Sequence, residues 1–343
     1  MQAQRATSWS ALLAAMFSLL LLLSACSSNA NSGNSGAAAS PSPAAPQQEA
    51  AATEAPAFPR TIEAANGSVT IDAKPERVAV VHWGYADSLL LFDLPSAGLA
   101  LPFTEDTSSL GTDTYKPYVD RIGELVIVGE NTTVNMEALL AYGPDLIIAG
   151  STVNAEVTEQ LEKIAATVVI DEAATDVWSN WPALVTAFGQ ILGQEETAEQ
   201  FISGYQTKVT EAKGKLADVK GNVAFLQVRN NVAYLGGTKY LTPYYDQGIG
   251  LTPPDDPAMA DGAEMSLETL AALNPDHLIL GYFNYDSPET ASITDEWEQT
   301  EVWKKLKAVE SGQTYAVNGA LAMGYGPLAN TYGVEAVLEA LDK

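Results

Sequence analysis

A chain of 343 residues with 43 acidic and 17 basic side chains has a formal net charge of −26. Such a charge disfavours nucleic acid, anionic headgroups and highly anionic ligands unless basic residues are concentrated at one site. A single cysteine excludes an intrachain disulfide, and two separated histidines make no recognisable metal-ligand cluster. The fold must therefore rest on its core, and a body of roughly 285 residues suffices for two ordinary domains.

Arg5 is the only charged side chain before a stretch from Ala11 to Leu23 that is apolar except for Ser18. It is short for a membrane span and small residues follow it, so residues 1–25 read as a signal peptide. The stretch ends in Leu23-Ser24-Ala25-Cys26 and resembles a bacterial lipoprotein signal, in which the cysteine is lipidated and becomes the first mature residue. The alternative is an ordinary secreted protein with a chance cysteine. Two acyl chains (palmitate among them) on Cys26 would anchor the chain to the outer face of the cell membrane without spanning it. Residues 26–57 are rich in Ser, Asn, Gly, Ala, Pro and Gln. They cannot repay their ordering entropy and read as a flexible tether spanning roughly 30 Å.

The body alternates strand and helix signals, the pattern of an α/β fold. Arg77 to His82 is a first buried strand, followed by a helix near Ala86 to Phe92. Val126–Val128 is apolar but short, and Val168 to Asp171 closes a first sheet. Trp181 to Leu192 is helical and stops at Gly193. Glu195 to about Asp218 is one long amphipathic pattern, with Phe201, Tyr205, Val209 and Leu216 on one side. A second lobe opens at Val223–Val228 and continues through Tyr234-Leu235, Asp276–Leu280 and Thr314–Val317 to a terminal helix at Val334–Leu341. The boundaries predicted are an N-terminal lobe at 58–193, a joining helix at 194–219 and a C-terminal lobe at 220–343.

One phrase occurs twice. Met136-Glu137-Ala138-Leu139 through Pro144-Asp145-Leu146-Ile147-Ile148 matches Leu267-Glu268-Thr269-Leu270 through Pro275-Asp276-His277-Leu278-Ile279 at the same offsets. Each copy reads as a short helix opened by Asn135 or Ser266, stopped before the proline, and followed by a buried strand. A repeat so widely spaced suggests two similar lobes. An acid in the first helical turn is favoured by the helix dipole alone, by about 0.3–1 kcal/mol.

With these phrases, and with Pro75-Glu76-Arg77-Val78-Ala79-Val80-Val81 and the late Gly324-Tyr325-Gly326-Pro327-Leu328-Ala329, the chain from Val69 onward resembles the substrate-binding proteins of ABC importers for ferric siderophores, cobalamin or haem. The resemblance implies a class III periplasmic-binding-protein fold: two Rossmann-like α/β lobes, each with a central sheet, joined by one long helix. It implies a monomer without a cofactor, and partners in the form of a ferric siderophore and an ABC permease dimer with its ATPase subunits. It also implies that Glu137 and Glu268 dock onto basic residues of the two permease subunits, where rim charges guide encounter and register.

A ligand belongs where the strand C-termini of the two lobes face each other. That nominates His82, Trp83 and Tyr85 on the first lobe. On the second it nominates Arg229, Tyr240, Tyr244, Tyr245, Tyr282, Phe283, Tyr285, Trp297, Met323 and Tyr325. Aromatic side chains offer apolar area with a polar tip, which suits a bulky amphipathic chelate, although each serves equally well in a core. Arg229 is distinctive because it ends a strand and only four arginines follow the signal. With Lys239 as the other nearby cation, the site suits a near-neutral ferric hydroxamate better than a tris-catecholate. Haem is the next candidate, with His82, Met323 or Tyr325 as axial ligand, and cobalamin remains open. His277 lies inside a strand and reads as a hydrogen-bonded core histidine.

An enzyme is the competing class, but the chain lacks a GxxxxGK[ST] loop, a GxSxG elbow and an HExxH helix. A surface sensor lipoprotein without a transport role is the third reading.

Overall fold

The computed structural model describes residues 58–342. The expected signal peptide, Cys26 and the tether lie outside those residues. Among the described residues, no helix is long and apolar enough to cross a membrane.

Strands β1 (Arg60–Ala64) and β2 (Gly67–Ile71) form an antiparallel hairpin. The first main sheet contains β3 (Arg77–Val80), β4 (Ser96–Ala100), β5 (Glu124–Glu130), β6 (Thr133–Val134), β7 (Leu146–Gly150) and β8 (Ala166–Ile170). Their order is β6-β5-β4-β3-β7-β8, parallel except for the terminal β5/β6 pair. Strand order reverses at β3, so a crevice opens outside its C-terminal end. The central strands β3, β4 and β7 are apolar on both faces, as a parallel sheet covered by helices requires.

Composition explains why β4 is inconspicuous in the sequence. Its residues, Ser-Ala-Gly-Leu-Ala, are small apart from Leu99, and the Tyr142 side chain packs over Gly98 and bonds Ser96. A Cβ on Gly98 would lie 3.1 Å from both Tyr142 Cε1 and Val128 Cγ1. Likewise β5 is longer than its apolar triplet suggests, since its solvent-side positions extend the ladder to Glu124 and Glu130.

The second sheet contains β9 (Val223–Val228), β10 (Ala233–Leu235), β11 (Ala263–Met265), β12 (His277–Tyr282) and β13 (Thr314–Asn318), in the order β11-β10-β9-β12-β13. Here β9, β12 and β13 are parallel, and β10 and β11 add antiparallel strands at one edge. The duplicated phrases fold alike. Met136–Tyr142 is capped by the Asn135 side chain and ends at left-handed Gly143, while Leu267–Leu273 is capped by Ser266 and ends at left-handed Asn274. Their acids, Glu137 and Glu268, are solvent-exposed.

Between the sheets the chain runs through an unbroken helix, Glu195–Lys215. Glu195 and Glu196 occupy its first turn and Lys213 and Lys215 its last, each sign placed to complement the helix dipole. The last helix, Pro327–Leu341, begins earlier than its sequence pattern suggests because Pro327 takes the first helical position. It packs against both lobes: Leu328 belongs to the first-lobe core, and Val334, Val337 and Leu341 belong to that of the second.

Tyr244 stacks on Phe225 at 4.5 Å in the second-lobe core, and its hydroxyl donates to the Ala322 carbonyl. Removing that hydroxyl leaves a buried acceptor unpaired, at a cost of about 1–3 kcal/mol. Tyr244→Phe is therefore expected to lower the melting temperature by several degrees while ligand affinity stays within twofold, as thermal melts and titrations would read.

Candidate functional site

The first lobe's contribution starts where β3 ends. The chain turns through His82-Trp83-Gly84-Tyr85, and the turn is fixed by the imidazole: Nδ1 accepts from the Gly84 amide at 2.9 Å, which places the ring proton on Nε2, 2.8 Å from Glu172 Oε1. Glu172 also accepts from the amides of Val153 (2.9 Å) and Thr152. Burial alone would raise its pKa, but these amides and His82 together hold it below the usual carboxylate range. His82 is buried, and desolvation lowers its pKa despite Glu172, so the ring is neutral near pH 7. Both ring nitrogens are engaged, and His82 has none to offer a metal. This histidine shapes the wall behind Trp83.

The second lobe's contribution starts where β9 ends. Arg229 stacks over the Phe283 ring at 4.3 Å, and its Nη2 lies 3.5 Å from Gln227 Oε1. Its Nε is buried without a hydrogen-bond partner. Among the described residues, no carboxylate pairs with it within 4.0 Å. A half-buried guanidinium without a carboxylate partner is unusual in a chain this acidic, and it can donate hydrogen bonds to oxygen acceptors.

Two cavities meet at Arg229. One, of 410 Å³, lies between the lobes and is walled by Trp83, Asp87, Phe103, Leu110 and Tyr115 opposite Phe283 and Tyr325. The other, of 520 Å³, is walled by Trp178, Tyr234, Tyr240 and Met323. Rings from both lobes interleave where they join. Tyr325 meets Trp83 edge-on at 5.2 Å and Trp178 at 4.8 Å, and Trp178 meets Tyr240 at 5.6 Å. Edge-to-face pairs at these distances hold the lobes together while leaving ring faces for a ligand.

The structure sorts the expected site residues. Trp83, Arg229, Tyr240, Phe283, Met323 and Tyr325 line the two cavities, although Met323 is itself buried, with its thioether over Gly281. Tyr85 does not line them: it is closed to solvent, stacked on His82 at 4.0 Å and edge-on to Phe188. Tyr244 and Tyr245 are core residues, the latter donating to the Val223 carbonyl. Trp297 is buried beside Trp303. Tyr282 turns its hydroxyl to Thr294 at 3.0 Å, and Tyr285 is exposed outside both cavities. Lys239 is exposed and pairs loosely with Asp261. His277 opens β12 at the end remote from the crevice, bonded to the Lys220 carbonyl. Among the described residues, no group of three His, Cys, Asp or Glu could hold a metal ion.

Sequence reasoning missed Asp87, Tyr115, Trp178 and the Pro102–Leu110 loop. The loop carries no periodicity, and its exposed Phe103 gives no cue before the fold brings it to the crevice.

The periplasmic binding protein family matches residues 78–320. The chain belongs to this family. It is 26% identical to the Fe(3+)-citrate-binding protein YfmC of Bacillus subtilis over 75% of this chain and 77% of that one. It is 25% identical to the iron(3+)-hydroxamate-binding protein FhuD of the same organism, over 82% of this chain and 86% of the other. The triscatecholate siderophore binding protein FeuA of B. subtilis, solved with ferri-bacillibactin, superposes with a TM-score of 0.62 at 22% identity, covering 82% of this chain and 98% of that one. This family member has two α/β lobes around an aromatic crevice, and three different kinds of iron chelate are named among proteins similar to it.

Because burial depresses the His82 pKa, the unfolded chain takes up that proton first as pH falls below about 6.5. His82 thus contributes a loss of stability on acidification. Asp87, whose pKa burial raises, acts in the opposite sense over an overlapping range. Comparing His82→Gln with the native protein isolates the first effect: denaturant melts are expected to show a shallower stability loss from pH 7 to 5 in the variant.

Proposed function

We propose that this chain is an extracytoplasmic binding protein that captures a ferric siderophore, hydroxamate types foremost, and delivers it to an ABC permease. The observation that carries the reading is Arg229, a guanidinium without a carboxylate partner placed between two aromatic-walled cavities. A hydroxamate chelate presents carbonyl-type oxygens to such a group and apolar backbone to the rings, and it brings little net charge. A tris-catecholate brings a large negative charge into a crevice that holds Asp87 and one arginine in a chain of net charge −26. Haem is less well served, since both His82 nitrogens are taken. The lipid anchor on Cys26 belongs to the same proposal, resting on the signal-like sequence before it.

Delivery would use the two exposed acids at the ends of the duplicated helices, Glu137 and Glu268. The continuous Glu195–Lys215 helix ties the lobes together and limits closure to a small angle. Release then requires the transporter to part the lobes.

Tryptophan fluorescence of the purified protein, with Trp83 and Trp178 at the cavities, reports binding directly. Ferric hydroxamate is expected to quench saturably, and Arg229→Ala to weaken it at least tenfold, with ferric catecholate, ferric citrate, haem and cobalamin as comparisons. Tight binding of the catecholate in preference to the hydroxamate would overturn the ligand class. For docking, Glu137→Arg or Glu268→Arg is expected to abolish uptake in cells with affinity within twofold. An affinity loss as large as the uptake loss would overturn that role.

A further inference from the structure

Asp87 is the one acid on the first-lobe wall of the cavity between the lobes, and it is spent on the opposite lobe. It lies on the Ala86–Leu89 helix, buried. Its Oδ1 accepts from the Leu328 amide at 3.2 Å and its Oδ2 from the Ala329 amide at 3.3 Å, the opening turn of the last helix. Tyr115 donates its hydroxyl to Oδ2 at 3.2 Å. The approach is close enough to dictate a residue. Gly326 holds a left-handed φ of 86°, and a Cβ there would lie 2.6 Å from Asp87 Oδ2. Immediately before it stands Tyr325, whose ring closes on Trp83 and Trp178. One further bond crosses at the same point, from the Gly326 amide to the Val177 carbonyl at 3.2 Å.

We propose that Asp87 is a positioning residue for the ligand cavity. By accepting the first amides of the last helix it holds the Gly324–Gly326 turn, and with it Tyr325, against the first-lobe wall, and its protonation sets how firmly the lobes are latched there. The proposal rests on the reading of this crevice as the ligand site.

The direction of the pH effect follows from burial. Desolvation pushes the Asp87 carboxyl up to about 7, with the two amides and Tyr115 opposing. A latch that opened to solvent would return it to the ordinary range near 4. The latched state therefore binds the proton more tightly, and it loses its advantage steadily as pH rises from about 4 to about 7, then no further. The groups facing Asp87 do not titrate in that range. They are the phenols of Tyr115, Tyr118 and Tyr325, all raised by burial. The Trp181–Leu192 helix behind it carries no ionisable side chain.

Amide hydrogen exchange at Leu328 and Ala329, measured on the whole purified protein without ligand, tests the latch. Asp87→Ala is expected to exchange there at least tenfold faster than the native protein, and Gly326→Ala to do the same by displacing the carboxylate. Asp87→Asn, which keeps an acceptor but not the ionisation, is expected within threefold at pH 5. The ratio of native to Asn-variant rates should then rise at least fivefold by pH 7.5 and stay level above pH 8. Ferric hydroxamate affinity should fall at least tenfold in Asp87→Ala and stay within threefold in Asp87→Asn. Unchanged exchange in the Ala variant, or a ratio independent of pH, overturns the latch. Fast exchange with unchanged affinity overturns the positioning role. A native protein that shows the expected exchange yet binds no chelate overturns the ligand reading alone and leaves the latch standing.

Discussion

Two chain crossings decide where everything else in this molecule can be. The Glu195–Lys215 helix carries the chain from the first sheet to the second, and the last helix returns to seat Leu328 in the first-lobe core. Both crossings are helical. An arginine, an aspartate and aromatic rings from both lobes line the two cavities where these crossings bring the lobes together.

The two charged groups at the seam are held apart by different partners. Arg229 is held by a ring face and a distant amide, not by an acid, which keeps its charge directed at whatever enters. Asp87 is held by backbone amides and a phenol, not by the arginine, which keeps it from neutralising that charge. Had the two paired, the crevice would have lost both its attraction for ligand oxygens and its hold on the last helix. Their separation costs desolvation on each side, and burial of aromatic area around them offsets it.

How much of this could be read from sequence depends on what each residue advertises. The ends of β3 and β9 were legible, since buried parallel strands form continuous apolar runs, and so were the paired helix phrases, whose caps and stops recur at identical offsets. Arg229 stood out by scarcity. The tyrosines did not sort themselves: Tyr240 at a cavity and Tyr244 in the core are four residues apart with the same chemistry, and only the fold decides which hydroxyl finds Ala322. Trp178 and Phe103 lie in loops without period. Asp87 sits in a helix of four residues, where an acid in the first turn looks like ordinary dipole compensation. Its two amide partners are 241 and 242 residues away, a separation no local pattern can report.

That distance also bears on how the family fold accommodates different iron chelates. The sheets and the joining helix position a crevice, while the groups that touch the cavities come from strand ends, loops and the first turns of short helices such as Ala86–Leu89. Changing the ligand then requires only new loop residues, provided the seam still closes. In this chain the closure uses an acid inside the cavity itself. A strongly anionic guest would raise the cost of ionising Asp87 and favour its protonated form, the form in which the latch is firmest. A near-neutral guest leaves that balance undisturbed. Ligand charge and lobe closure are thus coupled through one carboxylate, whose protonation answers both to pH and to the charge of what enters the crevice.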